Sequence, residues 1–123
     1  MKIKNEDMVF VVKTWGFERW IWNSDKYCGK LLHIDEGHFT SWHYHKLKDE
    51  VMYVSSGVLK IIYGSKDEMD DCDTKIVLLV PGDAFHIPVG LRHRLIAVNG
   101  PVDLFEFSTQ HFDEDSIRVE PGS

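Results

Sequence analysis

The stretch "SWHYHKLKDEV", residues 41–51, places two histidines, His43 and His45, seven and five residues before a carboxylate, Glu50. In an extended chain successive side chains leave opposite faces, so His43 and His45 share one face at neighbouring depths. Imidazole pairs of that kind, with a carboxylate nearby, suit gripping a divalent ion between them. On an exposed strand the same residues would be an ordinary surface pair, so the elements around them decide.

Those elements have a period of two. Apolar or β-branched segments fall at residues 8–13, 27–34, 39–45, 51–55, 58–63, 75–80, 84–87, 92–98 and 102–108. Turn signals separate them: "DEG" at 35–37, "SSG" at 55–57, "PGD" at 81–83, "PVG" at 88–90 and "NGP" at 99–101. No segment carries a long amphipathic helical pattern. The reading is an all-β sandwich or barrel forming one domain over residues 1–123. The acidic run "GSKDEMDDCD" at 64–73 lacks the glycine and glutamate spacing of an EF-hand and reads as a solvated hairpin loop. The tail "HFDEDSIRVEPGS" is expected to hold a short turn that packs along the barrel or frays.

A chain of 123 residues can bury one substantial core. Its net charge of −6 repels nucleic acid and anionic membrane surfaces. No apolar run is long enough to span a bilayer, and the first twenty residues carry acids where a signal peptide needs an apolar stretch. A cytoplasmic protein is therefore expected. Cys28 and Cys72 form no Cys-x-x-Cys pair and read as two reduced thiols.

The histidines sit inside a larger frame, "GHFTSWHYHKLKDEVMYVSSG", running from Gly37 to Gly57. A second block, "GDAFHIPVGLRHRLIAVN", sets Gly82, Pro88, Gly90 and His93 at fixed intervals. Together these resemble the two motifs of the cupin superfamily. Only the closing Asn departs, since Ala97 occupies its place and Asn99 follows two residues later. The resemblance implies a single cupin barrel, a double-stranded β-helix or jelly roll. It also implies a metal held by His43, His45, Glu50 and His93. His43 and His45 would project from one strand, the "KLKD" turn would return Glu50 beside them, and the turn at Pro88 and Gly90 would aim His93 from a distant strand. Three imidazoles and a carboxylate suit Mn, Fe, Co, Ni or Zn.

The likeness extends further. "VVKTWGFERW", "VGLRHRL" and "LFEFSTQHFDEDSIRVE" are similar to segments of the isomerase domain of bifunctional mannose-6-phosphate isomerase/mannose-1-phosphate guanylyltransferase proteins, with Thr14 where those have proline. There is no room for the nucleotidyltransferase half. What the resemblance implies is isomerisation or epimerisation of a sugar or sugar phosphate, in which a proton moves between adjacent carbons through an enediolate and a divalent cation binds two adjacent oxygens. The same ligand set also serves a metal-dependent dioxygenase, and the barrel alone could serve as a sugar-binding or sensor module.

Glu106 and His86 are the candidate catalytic residues. An inward Glu106 could carry the proton, whereas strict alternation with Phe105 and Phe107 in the core would leave it in solvent. His86 stands two residues before Pro88 and is a candidate to face the cavity. Lys46, Lys48, Arg92 and Arg94 are candidates for phosphate capture or for surface solubility. His33, His38 and His111 have no spacing partner, and Tyr44, out of phase with the ligands, should pack outside. Three of the four tryptophans lie within residues 15–22, where strands could cover the barrel or a second subunit. By resemblance the chain is expected to form a homodimer.

Overall fold

The computed structural model describes all residues, 1–123. Nine strands follow one another: β1 (Val9–Lys13), β2 (Gly16–Asn23), β3 (Cys28–Ile34), β4 (Trp42–His45), β5 (Glu50–Gly64), β6 (Lys75–Leu79), β7 (Ala84–Ile87), β8 (Arg92–Ser108) and β9 (Ser116–Glu120). They form one curled antiparallel sheet in the order β1-β2-β3-β8-β4-β9, with β5 pairing β8, β6 and β7. The architecture is all-β, as the segment pattern implied, and takes the jelly-roll form that the family resemblance implied.

Two expected turns are instead bends inside long strands. The segments 51–55 and 58–63 are the single strand β5, which shifts register around Ser56 as it runs along β8. The segments 92–98 and 102–108 are likewise the single strand β8. Asn99 (φ 56°) and Gly100 (φ 118°) take left-handed backbone at its bend. "SSG" and "NGP" are thus corners at which paired strands pass from one side of the barrel to the other. Residues 16–23 and 116–120 form strands that the period-two pattern did not isolate. In β2 the reason is visible, because six successive residues are all half-buried and no inside–outside alternation develops.

The core is built from residues two apart. Leu32 and Ile34, Met52 and Val54, Leu59 and Ile61, Leu95 and Ala97, and Val102 and Leu104 interdigitate with Trp15, Leu79 and Ile87. Burying each large aliphatic side chain contributes roughly 1.5–3 kcal/mol. At one end of the barrel the same inward rows change chemistry. Lys30 continues the row of Leu32, Glu50 that of Met52, His93 that of Leu95, and Glu106 that of Leu104. The apolar end fixes the strand phase, and that phase carries charged side chains into the other end.

Gly57 is a tight point in this frame. Its φ is +85°, and a Cβ there would lie 2.3 Å from the Pro101 carbonyl oxygen. Gly82 has a similar φ of +95° but open space around its Cβ position. Gly82→Ala should therefore cost only the left-handed penalty of about 1–2 kcal/mol, and Gly57→Ala clearly more than that. Urea unfolding of both variants checks this, and equal losses would contradict it.

Candidate metal centre

Two strands and one turn deliver the histidines. His43 and His45 leave the same face of β4, and His43 lies directly opposite His93 of β8 in the strand register. The turn before His93 closes with Leu91 N–H donating to the Pro88 carbonyl (3.2 Å), and Gly90 N–H donates to the His45 carbonyl (2.8 Å). One ring nitrogen from each of the three histidines lies within 4.8 Å of the others.

The rings are held in one tautomer. His43 Nδ1 is 2.9 Å from the Ser41 carbonyl, His93 Nδ1 is 2.9 Å from the Leu91 carbonyl, and His45 Nδ1 is 3.3 Å from the Asp115 carbonyl. A carbonyl only accepts, so each Nδ1 carries a proton, and in a neutral ring Nε2 is then the nitrogen left free to ligate. Glu50 joins them at the start of β5. Its Oε1 is 3.1 Å from His93 Nε2 and 3.7 Å from His45 Nε2. Even so, Glu50 Oε1, Glu50 Oε2 and His93 Nε2 are buried with no hydrogen-bond partner, the 3.1 Å approach lacking hydrogen-bond geometry. Buried polar atoms left so are costly unless something compensates them. A cation among them would do so, and the donor set is one that divalent transition metals accept.

The electrostatics agree. Burial, then repulsion from His93 and His45, holds His43 well below the usual imidazole pKa. Burial chiefly lowers His45 to about 4. Both rings are therefore neutral near pH 7, as ligation requires. Burial alone would raise the Glu50 pKa, but His93, Lys48 and His45 together hold it below the usual carboxylate value. Lys48 is buried too, yet Glu106 and Glu50 keep its pKa raised.

The cavity in front of these groups has a volume of about 400 Å³, and most of the residues that line it are polar or charged. Glu106 faces it and accepts a hydrogen bond from Lys48 Nζ at 2.9 Å, while the same nitrogen lies 3.4 Å from Glu50 Oε2. The phase of β8 is set by Val102 and Leu104, which turn Glu106 inward and leave Phe107 exposed. The loop carrying Lys48 is pinned by the Asp115 carboxylate, which accepts from the backbone N–H groups of Lys46, Leu47 and Lys48. The tail thus packs rather than frays.

Other expectations are corrected. His86 does not reach the cavity. Its neighbour Ile87 takes the inward position on β7, so His86 points to solvent and pairs with Asp49 at 2.8 Å. Arg92 binds Asp67 and stacks 3.5 Å over the outward-facing Tyr44 ring, Arg94 donates to the Thr40 carbonyl, and Lys46 is exposed. Of the four phosphate-capture candidates only Lys48 lines the cavity. His33 is satisfied by Asp103 at 2.7 Å. His111 does have partners: it accepts from Lys48 Nζ at 3.1 Å and donates through Nε2 to Asp113 at 3.0 Å. Lys30, Glu18 and Arg118 also line the cavity without having been singled out. Lys30 was readable in principle, because it alternates with Cys28 and Leu32.

Residues 30–107 match the Cupin domain family. The chain is a cupin. A search of curated proteins found no match. Among solved structures, the capsular polysaccharide assembling protein CapF from Staphylococcus aureus superposes with a TM-score of 0.78 at 18% identity, over 92% of this chain and 34% of that one. Oxalate decarboxylase from Bacillus subtilis gives 0.80 at 15% identity, over 94% and 31%. KdgF from Halomonas sp. gives 0.73 at 18% identity, over 90% and 94%. This cupin therefore spans about a third of the first two chains and nearly all of the third. At such identities the likeness concerns the fold.

The lowered pKa values of His43, His45 and Glu50 act in one direction. Each group binds a proton more readily in the unfolded chain, so stability rises with pH across the interval between its folded and unfolded pKa. For His45 that interval runs from about 4 to 6.5. With a chelator present, denaturant unfolding should show stability falling on acidification from pH 6.5 to 4, by about 3 kcal/mol from His45 alone. A flat profile across that window would contradict the buried neutral rings.

Proposed function

We propose that this cupin is a metal-dependent enzyme that isomerises or epimerises a sugar or sugar phosphate, with His43, His45, Glu50 and His93 holding the ion. The observation that carries the reading is the placement of a second carboxylate, Glu106, in the same cavity as that donor set and linked to it through Lys48. A divalent ion there would supply positive charge to adjacent hydroxyl and carbonyl oxygens. Glu50 is committed to the ion, so Glu106 is the group free to take a proton from one carbon and return it to the next. Lys48 orients the Glu106 carboxylate by its 2.9 Å hydrogen bond. A polar lining suits a polyhydroxylated ligand better than an apolar one.

Deuterium incorporation in heavy water, followed by proton NMR across a panel of sugars and sugar phosphates, tests this reading. The metal-loaded protein should exchange a carbon-bound proton of at least one of them. Glu106→Gln should slow that exchange about 100-fold or more with metal content unchanged. Absence of exchange across the panel, or full activity in Glu106→Gln, would overturn the isomerase assignment. Oxygen consumption would point to dioxygenase chemistry, and thermal stabilisation by a sugar without turnover to a binding module.

We also propose that the protein works as a homodimer. The outer face of the sheet exposes Trp22, Tyr27, Tyr53 and Phe107, and water-facing aromatic surface of this kind favours association. Light scattering should give twice the chain mass at micromolar concentration. A monomer mass at every concentration would remove the proposal.

A further inference from the structure

Four cationic side chains line the cavity: Lys13, Lys30, Lys48 and Arg118. Three have carboxylate partners. Glu18 serves both Lys13 (4.0 Å) and Lys30 (3.4 Å), while Glu106 and Glu50 serve Lys48. Arg118 has none. No carboxylate lies within ion-pair distance of it, and its guanidinium makes no hydrogen bond within the protein.

Its position is nevertheless defined. Arg118 lies on β9 directly opposite His43 of β4 in the strand register. Residues so paired project from the same face with Cβ atoms about 4.5–5.5 Å apart. Arg118 therefore shares the inward face of a proposed ligand while remaining exposed at the cavity mouth. Around it, Gly122 packs against the backbone of residues 39–41, and Ser123 exchanges two backbone hydrogen bonds with Phe39. The strand that carries the guanidinium is tied at both ends of its pairing, by the Asp115 contacts to the 46–48 loop and by these bonds.

We infer that Arg118 is a specificity-determining residue that receives an oxyanion of the substrate, so the ligand is a sugar carrying a carboxylate or phosphate rather than a neutral sugar. This rests on the metal-centre reading above. With Glu50 compensating an ion, the cationic lining outnumbers the remaining acids Glu18 and Glu106, and an anion restores the balance. A guanidinium presents paired N–H donors that fit both candidate oxyanions, and one free of internal partners keeps all of them for the ligand. The four residues that the sequence suggested for phosphate capture do not compete for this role. Three face away from the cavity, and Lys48 is already paired.

Calorimetric titration of the metal-loaded protein with D-glucuronate, mannose 6-phosphate and mannose tests the inference. At least one of the two anions should bind tenfold or more tightly than mannose, and the better of the two identifies the preferred oxyanion. Arg118→Gln should weaken that anion tenfold or more while leaving mannose affinity, metal content and melting temperature unchanged, and Arg118→Lys should recover part of the loss. Mannose binding as tightly as both anions, no measurable binding of any of the three, or an anion affinity untouched by Arg118→Gln would each overturn it. Deuterium exchange is a separate readout. Arg118-dependent anion binding without exchange would sink the isomerase assignment and leave this one standing, whereas exchange with an Arg118-independent affinity would do the reverse.

Discussion

Three backbone carbonyls decide how this cavity behaves. Those of Ser41, Leu91 and Asp115 each face the Nδ1 of one histidine, and so leave Nε2 as the inward-facing nitrogen of His43, His93 and His45. Two of these carbonyls lie two residues before their own histidine. The third comes from the 3-10 turn at Asp113–Asp115 that leads into β9, far along the chain. A strand geometry that places His43 opposite His93 brings the lone pairs together, and burial removes the water that would otherwise satisfy them. The outcome is a cluster of imidazole nitrogens beside a buried carboxylate whose oxygens make no hydrogen bond, an arrangement that a bound cation would stabilise.

The remaining charges follow from the same economy of burial. Lys30, Lys48, Glu50 and Glu106 are all nearly inaccessible to solvent, and isolated buried charges would each cost several kcal/mol. They occur in contact. Lys48 touches Glu50, Glu106 and His111, and Lys30 touches Glu18 and lies 4.5 Å over the Trp20 ring. Removing one partner would strand the other, so the network is expected to be rigid as well as polar. The apolar half of the barrel makes this possible by holding each strand in phase.

The sequence was most readable where short-range spacing carried the information. His43 and His45 two apart, Glu50 after a four-residue turn, and His93 after the Pro88–Gly90 turn all depend on local geometry, and all four meet at one point. Glu106 was ambiguous because two apolar rows alternate around it, and only the burial of Val102 and Leu104 selects between them. His86 went the other way for the same reason, with Ile87 taking the inward place. His111 and Arg118 had no local signal. Arg118 reaches the cavity through the pairing of β9 with β4, and the His111 backbone is held by the Asn23 side chain, 88 positions away. The bends at Gly57 and Asn99–Gly100 looked like chain reversals because left-handed residues mark both corners and turns.

X-ray absorption of the zinc-loaded protein addresses the convergence of these donors directly. The account predicts three imidazole nitrogens and at least one oxygen at about 2.0–2.2 Å from the metal, with one imidazole lost in His93→Ala. A shell with fewer than three imidazoles in the unaltered protein, or one unchanged by that substitution, would contradict it.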